Sequence, residues 1–363
     1  MPKSWREALL SSAAEAPNRA PDPPGGETIS YAQVATATSN WELLEVRPIS
    51  PGTERIVSFA NQKGGVGKTT TSVNLAAALA LRGHRVLVVD VDPQSNATTG
   101  LGIDHRGLEA STYDVIVNGA SADDVIRPTG IKGLDCLPSS PDLAGAEIEL
   151  VEVAARERRL AEALDGSLSG YDVVFLDCPP SLGLLTVNAL AAAHDLIVPV
   201  QCEYYALEGL GQLMGTAERV QAGLNGELRI AGFVLTMYDA RTRLSSQVAD
   251  EVRRHFGDSV FGTVVPRSVR LSEAPSFGEP VLTLDPSSRG ALSYRLLASE
   301  FESRFELATH VPAPPPSKAG PAHEEPAVKT ATPGPEGRGY GVIAPPPGDL
   351  ESAWPREQPW SKR

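Results

Sequence analysis

The chain has 363 residues, 31 of them proline, and a formal net charge of −13, an acidic balance that speaks at first against a nucleic-acid binder, whose phosphate contacts need clustered Lys and Arg. Three cysteines without a CxxC spacing exclude a disulfide framework and leave no zinc-ribbon pattern. No apolar run approaches the 18 residues of a membrane span, and Ala8-Leu9-Leu10 is too short for a secretory core, so a soluble, cytoplasmic protein is expected.

Prolines divide as 7 in residues 1–53, 11 in residues 54–309 and 13 in residues 310–363. The two ends read as a flexible N-terminal extension and a disordered Pro-rich tail, because they carry too little apolar surface to offset chain entropy. Trp354 and Trp360 in the tail would suit a short peptide anchor. Between the ends, β-branched runs predict strands at Arg55–Ala60, Arg85–Asp90, Asp172–Asp177, Leu196–Val200, Ile230–Thr236 and Val260–Val265. Helical spacing predicts helices at Gly67–Leu81, Ala144–Leu164, Leu184–Ala193, Ala206–Ala222, Ser245–Phe256 and Arg289–Phe305. Near-continuous apolar strands alternating with helices imply an α/β fold, a mostly parallel twisted sheet with helices on both faces. Such a sheet takes its ligands at the carboxyl ends of its strands.

The first strand runs into Asn61-Gln62-Lys63-Gly64-Gly65-Val66-Gly67-Lys68-Thr69-Thr70, which opens a helix. Strand, glycine-rich turn and helix in that order are the context of a phosphate-binding P-loop, where backbone N–H groups turn inward around phosphate oxygens. Lys68 would reach the β- and γ-phosphates, and the Thr69 hydroxyl would coordinate Mg²⁺. The loop is a variant, since Gln62 stands where the general pattern has Gly.

Lys63-Gly64-Gly65-Val66-Gly67-Lys68-Thr69 resembles the deviant Walker A motif of the ParA/MinD superfamily of P-loop ATPases. The similarity continues through Leu87-Val88-Val89-Asp90-Val91-Asp92-Pro93-Gln94, Phe175-Leu176-Asp177-Cys178-Pro179-Pro180-Ser181, the block from Gln201 to Gly209, and Val265 to Pro275. In order over about residues 54–308, these blocks resemble the chromosomal, Soj-type ParA partitioning ATPases. The resemblance implies a P-loop ATPase domain over residues 54–309 that takes ATP and Mg²⁺ and has weak basal activity. It implies that Lys63 crosses to the partner's ATP in a homodimer, acting as a cation supplied in trans, as an arginine finger does. By the same resemblance Asp92 orients or activates the attacking water, with Asp90 in a supporting place at the strand end. Asp177 would hold Mg²⁺ through a water, and Gly64 to Thr70 would wrap the phosphates. Met237 and Pro266 would lie near the base. Glu203 and Tyr204 either shape a dimer interface or ribose site, or simply pack.

Charge is unevenly spread: residues 54–228 carry 12 basic and 23 acidic side chains, whereas residues 229–304 carry 10 and 9, all ten basic ones being Arg. Arginine suits bidentate phosphate contacts. Arg241, Arg267 and Arg270 fall in blocks that, by resemblance, bind double-stranded DNA without sequence preference. The expected biology is an ATP-dependent chromosome-partitioning ATPase, associated with the nucleoid, released by hydrolysis that a ParB-type centromere-binding protein stimulates. The alternative is a MinD-like or orphan positioning ATPase for another cargo. No basic amphipathic membrane helix of the MinD kind is visible at the end of the chain, and no membrane partner is expected.

Overall fold

The computed structural model describes residues 54–203, 206–207 and 209–307, and the expectations for residues 1–53, 310–363 and Tyr204 lie outside them. The strands are β1 (Arg55–Phe59), β2 (Val86–Asp90), β3 (Arg127–Pro128), β4 (Leu134–Leu137), β5 (Val173–Asp177), β6 (Asp195–Gln201) and β7 (Arg229–Thr236). They form one sheet in the order β3-β4-β2-β5-β1-β6-β7, parallel throughout except for β3, which runs against β4. The helices are α1 (Lys68–Leu81), α2 (Asn96–Gly100), α3 (Ala122–Val125), α4 (Leu143–Glu149), α5 (Arg159–Leu164), α6 (Leu184–Ala192), α7 (Leu210–Gly223), α8 (Arg243–Phe256), α9 (Val269–Glu273), α10 (Val281–Leu284) and α11 (Arg289–Phe305).

Alternate residues of each strand feed two cores. Ile56, Leu87, Val89, Val174 and Leu176 belong to one, packed under α5 to α8, while Val57, Phe59, Val86, Val88 and Phe175 belong to the other, under α1 and α11. A strand buried on both faces has no reason to alternate polar and apolar residues, which is why these runs are continuous. Register then sets the site: Phe59 and Asp90 both lie opposite Asp177, so β1, β2 and β5 end level with one another. Among the described residues no helix is long and apolar enough to cross a membrane.

Three expected elements differ. The helix expected over Ala144–Leu164 is broken: α4 ends at Glu149, and the chain turns through Ala155 at φ 52° before α5 begins. Val151 and Val153 stay exposed there, so no apolar stripe joins the two halves. The expected strand Val260–Val265 makes only bridges, Phe233 to Val260 and Tyr238 to Pro266. Its central N–H groups, those of Gly262 and Thr263, donate instead to the Glu300 carboxylate of α11 at 2.7 and 2.9 Å. The helix expected from Ala206 begins at Leu210, after Gly209 at φ 81°. The short elements β3, β4, α2, α3, α9 and α10 lie outside the expected set.

Candidate functional site

The loop after β1 is stapled from both sides. Asn61 donates from Nδ2 to the Pro199 carbonyl of β6 at 2.8 Å and accepts the Lys63 N–H on Oδ1 at 3.0 Å. Farther along, the Thr236 hydroxyl at the end of β7 donates to the Val66 carbonyl at 2.7 Å. Between these anchors Gly65, and just past the second Gly67, adopt φ of +74° and +89°, a conformation open to glycine at little cost, and Gly64 and Gly65 remain exposed. α1 starts at Lys68 with no side-chain cap and no acidic residue in its first turn. The N–H groups of Lys68, Thr69 and Thr70 therefore present the positive end of the helix to whatever the loop encloses.

Lys68 is buried, its Nζ 3.5 Å from the Lys63 carbonyl; burial lowers its pKa, with Asp177 opposing. Thr69 Oγ1 donates to Asp177 Oδ2 at 2.7 Å, and Ser72 Oγ, three residues on along the same helix face, donates to Oδ1 at 3.0 Å. Asp177 is wholly buried, and that burial, followed by the nearby Asp90 charge, pushes its pKa up. Asp90 is raised too, first by burial. Asp92 is 5% exposed and accepts the Gln94 N–H at 3.0 Å. Ser72 was not expected from the sequence; its spacing from Thr69 was the signal that could have found it.

A glycine cradle at an uncapped helix start fits a polyphosphate, and the hydroxyl and carboxylate of Thr69 and Asp177 are hard oxygen donors that fit Mg²⁺. Among the described residues no cluster of three or more His, Cys, Asp or Glu side chains could hold a metal ion.

Met237, at the end of β7, has φ of +51°, and its sulfur accepts from Gln201 Nε2 at 3.3 Å. The Tyr238–Pro266 bridge brings Met237 and Pro266, the two residues expected near the base, onto neighbouring segments. The same two segments continue into the arginines. Arg241 is exposed and pairs with Asp239 at 2.7 Å. Arg267 reaches Glu203 at 2.7 Å, and Arg270 lies between Glu273 at 3.1 Å and Asp285 at 3.4 Å. Cys178 is buried with its sulfur 3.1 Å from Ser58 Oγ, and burial pushes its thiol up to about 12.

A family profile described as "AAA domain" matches residues 54–230. The chain is 56% identical over 246 residues to the sporulation initiation inhibitor protein Soj of Bacillus subtilis, an alignment covering 68% of this chain and 97% of Soj. It is 53% identical over 252 residues to the chromosome partitioning protein ParA of Caulobacter vibrioides, covering 69% of this chain and 94% of that protein. Among solved structures it is similar to cobyrinic acid a,c-diamide synthase from Mycobacterium smegmatis with bound ADP and magnesium, at 39% identity and a TM-score of 0.62, over 70% of this chain and 96% of the other.

Proposed function

The chain belongs to the Soj/ParA family of chromosome-partitioning P-loop ATPases, and from that premise we propose that it is an ATP-timed DNA-partitioning switch. It hydrolyses ATP to ADP and phosphate, dimerises when loaded with ATP, holds nucleoid DNA without sequence preference and lets go after hydrolysis stimulated by a ParB-type partner. The observation that carries the reading is the convergence, at one end of the sheet, of the stapled glycine loop, Lys68, the Thr69–Asp177 pair and Asp92.

In this reading the N–H groups of residues 64–70 and Lys68 bind the β- and γ-phosphates. Bound magnesium would supply neutralising charge to the phosphates, and Thr69 with Asp177 would hold it, the latter through a water. Asp92 orients the attacking water, and Lys63 of each protomer meets the partner's ATP. Met237 and Pro266 contact the base, while Arg241, Arg267 and Arg270 contact DNA phosphates. Because the base loops and the arginine loops are the same two chain segments, occupancy of one bears on the pose of the other. Residues 54–309 act as the ATPase domain, with the flanking regions as tethers.

The test is DNA binding by the full chain with ATP, with ADP and without nucleotide, across a salt series. ATP-dependent affinity that falls steeply with ionic strength is expected. If ATP-loaded dimers ignore DNA at low salt, a positioning ATPase for another cargo replaces this reading.

A further inference from the structure

Asp90 has no part in the chemistry proposed above, yet it is wholly buried at the end of β2, directly across from the Asp177 carboxylate in the adjacent strand. Two carboxylates so placed are costly to bury, and the cost is met only where donors surround them. The donors around Asp90 all come from the segment that carries Asp92. The Asp92 N–H reaches Asp90 Oδ1 at 3.1 Å, and Thr98 donates to Oδ2 twice, from its N–H at 2.8 Å and from its hydroxyl at 2.7 Å. The Thr98 hydroxyl in turn accepts the Ser139 N–H at 2.9 Å, from the loop that follows β4.

Between these grips the chain turns tightly: the Ser95 N–H donates to the Asp92 carbonyl at 2.9 Å, and Ser95 itself sits at φ 55°. A left-handed serine costs on the order of 1 kcal/mol and persists only where its surroundings over-determine it. We propose that Asp90 and Thr98 are positioning residues, a lock that holds the Asp92 turn at the geometry hydrolysis needs and ties it through Ser139 to the loop after β4. The inference rests on the reading of Asp92 as the group that orients water.

A carboxylate is an acceptor at both oxygens, whereas an amide is not. In Asp90→Asn the NH₂ group must face either the Asp92 N–H or the Thr98 N–H, so one hold on the turn is broken whichever way it lies. Thr98→Val removes the hydroxyl link and keeps the backbone one; Thr98→Ser keeps both. The experiment measures single-turnover hydrolysis, the affinity for a fluorescent ATP analogue and Tm for wild type, Asp90→Asn, Thr98→Val, Thr98→Ser and Asp92→Ala. Misplacement of a reacting group by about 1 Å costs up to roughly 100-fold. Expected are an approximately 10-fold to 100-fold fall in the hydrolysis rate for Asp90→Asn, about 10-fold for Thr98→Val, and near-wild-type rates for Thr98→Ser. ATP affinity should stay within about 3-fold in all three. A purely structural role would instead lower affinity, rate and Tm together. A wild-type rate in Thr98→Val while Asp92→Ala is inactive overturns the lock alone. A wild-type rate in Asp92→Ala overturns the Asp92 reading and the lock with it. Should Asp90→Asn fail to fold, the Thr98 pair decides.

Discussion

The ends of β1, β2 and β5 and the loops beyond β7 are two charged regions of this molecule built on opposite plans. In the first, Asp90, Asp177 and Lys68 are buried, and each carboxylate oxygen is held by one or more donors fixed on a helix or a tight turn. In the second, Arg241, Arg267 and Arg270 stand in solvent and lean on acidic neighbours. Buried groups cannot fall back on water, so geometry there is expensive to disturb and chemistry depends on it. Exposed ion pairs are worth about 1 kcal/mol or less, so those arginines exchange partners cheaply, as a reversible grip on a polyanion requires.

The widest gap should appear in turnover. Asp92→Ala is expected to bind ATP and persist as a dimer while hydrolysis falls by about 10² to 10⁴, the usual reach of a positioned acid–base group. Lys68→Ala removes a buried cation from phosphate and should cost about 3 kcal/mol, roughly 100-fold in ATP affinity by titration. An Arg270→Glu variant belongs to the second region and should separate the two cleanly. DNA affinity should drop about 10-fold or more at low salt, the slope of log affinity against log salt should shallow by about 0.9 for each phosphate no longer engaged, and ATP turnover without DNA should be unchanged.

Protonation offers a finer probe. Burial raises Asp90 and Asp177 above their ordinary value of 3.8, so between that value and the raised ones the native state binds more protons than the unfolded chain. The pair's contribution to stability is therefore full below pH 3.8 and is lost as pH rises through the elevated native values. Nucleotide-free Tm should fall over that rise, and Asp177→Asn should flatten it. That variant should also gain about 1 kcal/mol, or roughly 2–4 °C, at neutral pH while hydrolysis declines, because a neutral amide takes up no proton on folding, whereas buried Asp177 must, and a metal-holding oxygen is lost with it. A loss of stability in Asp177→Asn would mean that its hydroxyl donors outweigh its burial.

How far each region could be read from the chain follows from the same contrast. The glycine loop, its strand and its helix form one contiguous stretch, so Gly64 to Thr70 and the flanking elements were legible. Asp177 was legible because it closes an apolar run, and Asp92 because the Asp90-Val91-Asp92-Pro93-Gln94 block resembles a family motif. Partners supplied from elsewhere were not: Asn61 meets β6, Thr236 meets the loop, and Ser139 meets Thr98, contacts that exist only once strands distant in sequence lie side by side. The strand expected at Val260–Val265 went astray for a like reason, since two of its central N–H groups, those of Gly262 and Thr263, are claimed by Glu300, 38 and 37 residues away. Arginine content was plain in the sequence, but the acids beside those arginines were not.

The smallest effect should come from the pair that ties the second region to the loop after β6. Glu203 follows β6, close to the loops expected to hold the base, and it takes Arg267 from across the surface at 2.7 Å, with both side chains about half exposed. DNA phosphate and Glu203 then compete for one guanidinium. Glu203→Gln removes both the competitor and a negative charge beside the expected DNA track. Affinity for DNA should rise by no more than about 5-fold at low salt, the equivalent of about 1 kcal/mol, and the gain should vanish near about 1 M salt, where the screening length is about 3 Å. Stability should move by less than about 0.5 kcal/mol, as for most surface substitutions. A fall in DNA affinity would carry the opposite lesson: Glu203 would then be aiming Arg267, and at least one of the arginines would share the fixed geometry of the buried site.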